Sequence, residues 1–299
     1  MMPAETLNQY QGDLKLNHLM SQYTSLRVGG PADHFYVPVD LHDLSLFLAS
    51  LEKNEPLYWL GLGSNLLVRD GGIRGTVIAT QGALADIHLT DQGTIYVEAG
   101  VTCAKAARFC AQHDLAGAEF FAGIPGTVGG ALAMNAGAFG GETWQIVSCV
   151  NTINRCGEIN TRNVTDFDIG YRYVKGAVDE WFVSAELKLL TADADQPQQS
   201  MKSLLAERNK KQPIGLPSCG SVFRNPDKGH AAALIEKSGL KGFCIGQACV
   251  SEKHANFIIN TGGASAADIE NLIQHIAAVV SEKQKIHLVP EVHVIGEAK

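Results

Sequence analysis

Two periods of apolar and polar positions run through the chain. In LHDLSLFLASLEK, Leu41, Leu44, Leu48 and Leu51 recur at helical spacing and predict an early amphipathic helix. Short apolar runs at Leu57–Leu60, Leu66–Val68 and Thr76–Ala79, bounded by glycines, predict buried strands. A second pattern begins near Thr94 with the strand-like TIYVEAG and an alanine-rich helix through Ala104–Ala111. A glycine-dense stretch follows, and strand-like runs resume at Ile146–Ile153 and Trp181–Leu190.

The polar run TADADQPQQS (191–200) reads as a linker between patterned regions. Beyond it, Met201, Leu204 and Leu205 predict a helix ending in the basic RNKK. The most regular helix comes last. Ser265 and Asp268 make a capping-box-like start, and Ile269, Leu272, Ile273, Ile276, Val279 and Val280 form one apolar face. The chain closes on IHLVPEVHVIG, where Pro290 points to an edge position or a strand start. The layout predicted is an α+β region over residues 1–190, with a break near 90, followed by an α+β region over 201–299.

Composition narrows the class. Apolar residues make up 45% and charged residues 18% of 299, which excludes a disordered or fibrous chain and leaves ample length for one or two cores. A net charge of −7 argues against general binding of nucleic acid or an anionic membrane surface, while leaving room for a local basic pocket. The N-terminus carries no apolar leader and no stretch approaches about 18 consecutive apolar residues, so a cytoplasmic protein is expected. Cysteines at 103, 110, 149, 156, 219, 244 and 249 include no C-x-x-C pair, so free thiols in a reducing compartment are expected. The ten histidines show no metal-ligand spacing.

Candidate chemistry concentrates in glycine. Between Gly117 and Gly141, eight of 25 residues are glycine, against 31 of 299 overall. Two readings are open. Such a stretch exposes backbone N–H groups that cradle an anion such as a pyrophosphate, or it allows close packing of chain segments. A second stretch, Gly61-Leu62-Gly63-Ser64-Asn65, follows the apolar YWL and ends in side chains able to reach phosphate or ribose, which moves the reading toward a ligand. Leu66 stands where G-x-G-x-x-G needs its third glycine, and no G-x-x-x-x-G-K-[ST], G-x-S-x-G or H-E-x-x-H occurs. A dinucleotide held outside a Rossmann fold remains, with FAD the leading candidate.

Eight blocks now carry a resemblance: SLRVGGPAD (25–33), GLGSNLLV (61–68), GIPGTVGGALAMNAGAFGGE (123–142), YRY (171–173), RNKKQP (208–213), PSCGSVFRNP (217–226), VSEKHANFIIN (250–260) and EVHVIG (291–296). In this order, nearly end to end, they resemble the FAD-dependent UDP-N-acetylenolpyruvoylglucosamine reductases of peptidoglycan synthesis. The resemblance implies an FAD-binding fold of the vanillyl-alcohol-oxidase type, built from two α+β subdomains, and a C-terminal α+β substrate-binding domain. It implies noncovalent FAD, NADPH as hydride source, and reduction of the enolpyruvyl ether of a UDP-sugar in a bacterial cytoplasm. Because only residues 191–200 separate Leu190 from the next helix, the chain is similar to the shorter branch of the family, which lacks an insertion bearing a substrate-closing tyrosine.

Residue roles follow from the resemblance. Ser221 is similar to the proton donor, Arg172 to the arginine on the substrate carboxylate, and Glu291 to the glutamate assisting at the enolate. Cofactor contacts are implied for Leu62, Gly63, Ser64 and Asn65, for Gly123, Ile124, Pro125, Gly126, Thr127, Gly129, Gly130, Asn135 and Gly137, and for Arg208. Tyr171, Lys211 and Asn225 match substrate-binding positions. The chemistry suits these types: a planar guanidinium binds a carboxylate bidentately, and a lysine offers a point charge to phosphate. As a strand, EVHVIG would put Glu291 and His293 on one face and Val292 and Val294 on the other.

The chain departs from the family at Val174, where Y-R-x-S is common, and at Gln247 and Cys249. Cys249 reads as a small packed residue, and His254 as a hydrogen-bonded structural histidine. Two rivals stay open on sequence: an oxidase of the same fold, and a flavin-binding module without turnover. The absence of His and Cys from 123–141 speaks for noncovalent flavin.

Overall fold

The structure is a computed structural model that describes residues 10–176 and 178–299. Residues 1–9, on which the expectation about an N-terminal leader rests in part, lie outside the described residues. Among the described residues up to 100, short strands alternate with one α-helix: β1 (Asp13–Leu19), β2 (Pro31–Val37), α1 (Leu41–Ser50), β3 (Leu57–Leu60), β4 (Leu66–Val68), β5 (Ile73–Ala79), β6 (Ile87–Leu89) and β7 (Ile95–Glu98). The middle of the chain holds α2 (Cys103–Gln112), β8 (Leu115–Ala116), α3 (Val128–Ala133), β9 (Gly137–Ala138), β10 (Gly141–Glu142), β11 (Val147–Asn154) and β12 (Ile159–Asn163). It continues through β13 (Asp168–Gly170), β14 (Tyr173–Lys175), β15 (Glu180–Leu187) and β16 (Leu190–Thr191). The remainder is α4 (Gln196–Lys211), α5 (Ala231–Lys237), β17 (Cys244–Ile245), β18 (Ala248–Val250), β19 (Ile258–Asn260), α6 (Ala266–Gln284) and β20 (His293–Ile295).

The larger of two units comprises the chain up to Lys15, His34–Leu62 and Gly75–Glu207. It contains two cores. In one, Leu44, Phe47 and Leu48 of α1 meet Tyr36 and Ile78 on a four-stranded sheet of order β1-β2-β5-β3. Asp40 starts α1 by accepting the Asp43 amide at 2.8 Å, and the Tyr36 and Phe47 rings stack at 3.6 Å. In the other, Cys103 and Ala107 of α2 and Val128 and Leu132 of α3 pack with Val97, Val150 and Ala185 of a five-stranded sheet of order β12-β11-β15-β7-β6. Each fully buried leucine or phenylalanine in such cores contributes about 1.5–3 kcal/mol relative to exposure.

The second unit comprises Leu16–Asp33, Gly63–Arg74 and Arg208–Lys299. The linear division at 190 and 201 is corrected here, because two early segments fold with the C-terminal residues. Leu26, Val28 and Leu67 are buried in one core with Ile269, Leu272 and Ile276 of α6. Asp70 accepts the Ala266 and Ala267 amides at 2.9 and 3.0 Å, adding to the Ser265–Asp268 capping box, and Arg69 grips Glu270 through two nitrogens at 2.9 and 2.7 Å. The run 191–200 is also only half linker. The helix α4 starts at Gln196, with Pro197 in its first turn, where the missing N–H costs nothing.

Candidate active site

The second unit gathers three sequence-distant segments around Ser221. Gly220 adopts φ +74° and turns the chain just before Ser221, which is half-buried. The next residue is pinned on both sides. Val222 donates its amide to the Asn256 carbonyl at 2.9 Å, and its own carbonyl accepts the Glu291 amide at 2.7 Å. Asn256, 3% exposed, also reads both backbone groups of Phe223, accepting its N–H at 3.0 Å and donating to its C=O at 2.8 Å. Asn65 completes the set: its Nδ2 donates to the Glu291 carbonyl at 3.1 Å and its carbonyl accepts the His293 amide at 3.0 Å. Gly63, with φ +59°, allows this turn, since a Cβ there would run into the Tyr23 carbonyl oxygen.

Glu291 precedes the strand rather than lying in it. β20 begins at His293 and runs parallel to β4, pairing His293 with Leu66 and Ile295 with Val68. The alternation still holds across the boundary, because Val292 is buried while Glu291 stays half-buried. Burial, aided by the nearby Glu291 charge, pushes the buried Cys219 thiol up to about 12. A carboxylate thus stands beside the Ser221 segment, and Cys219 is no nucleophile at neutral pH.

Arg172 lies in the larger unit, in a left-handed backbone conformation with φ +56°. Its guanidinium donates to the carbonyls of Asn135 at 3.3 Å and Gly137 at 3.0 Å, and stands 5.2 Å from the Tyr171 ring centroid. Asn135, 2% exposed, donates to Glu142 and to the Gly170 carbonyl and accepts the Trp144 amide. The side chain of Asn135 is therefore engaged with Glu142, Gly170 and Trp144, while its backbone carbonyl, with that of Gly137, brackets Arg172.

The larger unit also holds a partly open cavity of about 220 Å³, lined by Trp59, Gly61, Thr80, Thr127, Gly129, Gly130, Thr152, Val174, Glu180 and Trp181 among others. Trp59 and Trp181 stack at 5.3 Å, and the buried Nε1 of Trp59 has no hydrogen-bond partner among the described residues. Glu180 accepts from Thr152 at 2.5 Å and from Arg162, whose guanidinium holds its carboxyl below the usual range despite burial. Val174, where a hydroxyl is common in the resembled family, is an apolar part of this wall.

The glycines here divide by role. A Cβ on Gly61 would collide with Thr127 Oγ1, and one on Gly129 would come within 2.8 Å of Ala99 Cβ. These two serve close packing. A Cβ on Gly130, which lines the cavity, would meet nothing nearer than Thr127 Oγ1 at 3.7 Å, an ordinary contact. Of the two readings left open for the glycines, these amides speak for packing: Ile124, Gly126, Val128 and Gly129 donate to the carbonyls of Phe121, Ile124, Val101 and Ala99, and Gly130 donates to Thr127 Oγ1. What remains for a ligand is an open glycine surface, an aromatic pair and an unmatched indole donor. That set fits part of a dinucleotide such as FAD.

The remaining positions are more peripheral. Tyr171 is 49% exposed, Lys211 ends α4 on the surface, and Arg208 is half-buried with its Nε on Gln212 Oε1 at 3.0 Å. Burial lowers the pKa of Arg208. Asn225 accepts the Ala231 amide at 3.1 Å and so helps start α5. Asn256, Trp59 and Trp181 were missed by sequence reasoning. Asn256 lay within a quoted block without a role, and the tryptophans gave no signal beyond strand composition.

Comparison with known proteins decides the family. Residues 32–161 match the FAD binding domain family, and residues 212–295 match the C-terminal domain of UDP-N-acetylenolpyruvoylglucosamine reductase. A UDP-N-acetylenolpyruvoylglucosamine reductase of Alkalilimnicola ehrlichii is 56% identical over 299 residues, covering 100% of both chains. The chain belongs to the UDP-N-acetylenolpyruvoylglucosamine reductase family. Another reductase of this name, from Legionella pneumophila, is 55% identical over 298 residues, 99% of this chain and 97% of that one. The crystal structure of the Thermus caldophilus reductase superposes with a TM-score of 0.82 at 31% identity, covering 95% of this chain and 98% of that chain. The reductase fold is accordingly an α+β FAD-binding fold with a C-terminal α+β domain.

Proposed function

We infer that this reductase uses NADPH and FAD to reduce the enolpyruvyl group of UDP-N-acetylglucosamine enolpyruvate to UDP-N-acetylmuramate, in peptidoglycan synthesis. The observation that carries this is full-length similarity to reductases of that name, joined to both matching domains. NADPH and the UDP-sugar are its small-molecule partners. Among the described residues no helix is long and apolar enough to cross a membrane, and we assign the reaction to the cytoplasm.

Bound FAD supplies hydride transfer. The chain's own residues must do the rest, because an enol ether accepts hydride only if charge developing toward its carboxylate is stabilised and the other carbon is protonated. We assign the proton to the Ser221 hydroxyl. The pinning of Val222 and Phe223 by Asn256 supports this role, since it fixes the backbone from which that hydroxyl projects. Glu291, tied to Val222 and to Asn65, assists at the enolate, and Arg172 receives the substrate carboxylate with a guanidinium oriented by two carbonyls. Lys211, Tyr171 and Asn225 are assigned to the nucleotide and carboxylate groups. For the cofactor we assign the loop Leu62, Gly63, Ser64 and Asn65, Arg208, and the glycine surface ending at Gly130.

Anaerobic stopped-flow absorbance tests the reading. NADPH should bleach the flavin band, and the enolpyruvyl sugar nucleotide should restore it without oxygen. Bleaching without restoration by that substrate would reject the assigned acceptor, and no bleaching would reduce the protein to a flavin binder.

A further inference from the structure

Cys244 and Cys249 are not the free thiols expected. They stand directly opposite each other across β17 and β18, with Cα atoms 4.1 Å apart, and are joined through sulfur. The hairpin does not need that bond for its register. Ile245 pairs with Ala248, Val250 donates to the Phe243 carbonyl at 2.9 Å, Gly242 donates to the Val250 carbonyl at 3.1 Å, and Gln247 anchors Thr261 through its own carbonyl. A bridge across so short a loop also removes little freedom from the unfolded chain. Stapling is therefore a weak reason for its presence.

Accessibility gives a stronger one. β17 is the edge of a three-stranded sheet of order β17-β18-β19, and Cys244 is exposed. A thiolate in solution reaches such a sulfur. Three other thiols, Cys103, Cys110 and Cys219, are buried, and burial pushes each up to about 12, so they stay out of exchange. The opened state has a partner as well: Cys244 Sγ lies 3.3 Å from the Gly242 carbonyl, which can accept its S–H.

We propose that Cys244 and Cys249 form a reversible dithiol–disulfide site, addressed by low-molecular-weight thiols and their disulfides, that sets the mobility of this hairpin edge. On reduction, a small thiolate attacks Cys244 Sγ, the sulfur–sulfur bond breaks, and Cys249 leaves with the electron pair and takes a proton from water. A second small thiolate attacks the external sulfur of the mixed disulfide, releasing Cys244 as thiolate and one small disulfide. Two thiols are oxidised as the bridge is reduced. A small disulfide drives the reverse.

The test equilibrates the full-length protein in glutathione buffers of stepped oxidation state, quenches with an alkylating agent, and weighs the tryptic peptide of residues 242–253, which carries both cysteines. The expected result is one concerted transition from doubly alkylated dithiol to bridged peptide, while Cys156 takes up only a glutathione adduct. Amide hydrogen exchange at Gly242 and Val250 should quicken about tenfold or more in the dithiol form. Cys249→Ser should leave Cys244 forming a mixed disulfide with glutathione. A peptide that stays dithiol throughout, separate adducts on the two cysteines, an unreactive Cys244 in C249S, or exchange rates indifferent to the bridge would each overturn the proposal.

Discussion

The backbone amide of Glu291 donates to the carbonyl of Val222 at 2.7 Å, so the residue following Ser221 and the start of the last chain segment form one piece of main chain structure. Asn65, on a third segment, holds the carbonyl of the same Glu291. A hydroxyl and a carboxylate assigned to chemistry thus project from backbone that is hydrogen-bonded on both sides. Such support fixes functional groups better than side-chain contacts alone, because backbone displacement would break several bonds together.

Ser221→Ala should separate the two half-reactions. Reduction of flavin by NADPH needs no proton from this hydroxyl and should keep nearly its full rate. Reoxidation by the enolpyruvyl substrate should slow by roughly two to four orders of magnitude. Single-turnover absorbance measures each step, and equal losses in both would remove Ser221 from the proton transfer.

Asn256→Ala should lower stability as well as turnover. The substitution strands both backbone groups of Phe223 in a buried place, at a cost of about 2–4 kcal/mol in urea unfolding. In the folded fraction, the substrate half-reaction should slow more than flavin reduction. An unchanged unfolding midpoint would contradict the bracket assigned to this residue.

Two glycine substitutions should give opposite outcomes. Gly61→Ala collides with Thr127 and should destabilise the protein. Gly130→Ala makes only an ordinary contact within α3 and should stabilise the apoprotein by about 1 kcal/mol through helix propensity, yet lower bound FAD because it adds a methyl group to a residue that lines the cavity. Flavin absorbance per protein together with thermal unfolding of the apoprotein reads both. Full FAD occupancy in the Gly130 variant would move the dinucleotide out of this cavity.

Acid should weaken the larger unit through Glu180. The Arg162 guanidinium, with Thr152, holds its carboxyl below the ordinary value of 4.5. A depressed folded-state pKa gives stabilisation that is complete above the unfolded value and is lost as pH falls through the folded one. Glu180→Gln should therefore lower the urea midpoint at pH 7, and its deficit against the parent should shrink as pH drops below 4.5. A deficit that stays constant with pH would show that the ion pair is not its source.

Much of this protein was written locally. The leucine spacing of 41–51 forms α1, the capping box at Ser265 and Asp268 starts α6, and the eight ordered blocks point to the reductase family by sequence alone. Those signals are short-range, since helical and strand periods report which face of a segment is buried within a few residues. What the burial is against is decided elsewhere.

Only the tertiary structure could place Leu26, Val28 and Leu67 in a core with α6, since any apolar surface of suitable shape could have covered them. The same limit applied to the glycines. Composition could not tell free amides from amides already donating to Ala99 and Val101, and the structure shows those of Ile124, Gly126, Val128, Gly129 and Gly130 as donors within the protein. Cys244 and Cys249 lie close in sequence, but their bond needed a hairpin register that period and propensity do not specify. Side-chain identity and spacing determined which chemistry was available. Long-range hydrogen bonds and burial, which depend on partners distant along the chain, determined which groups meet.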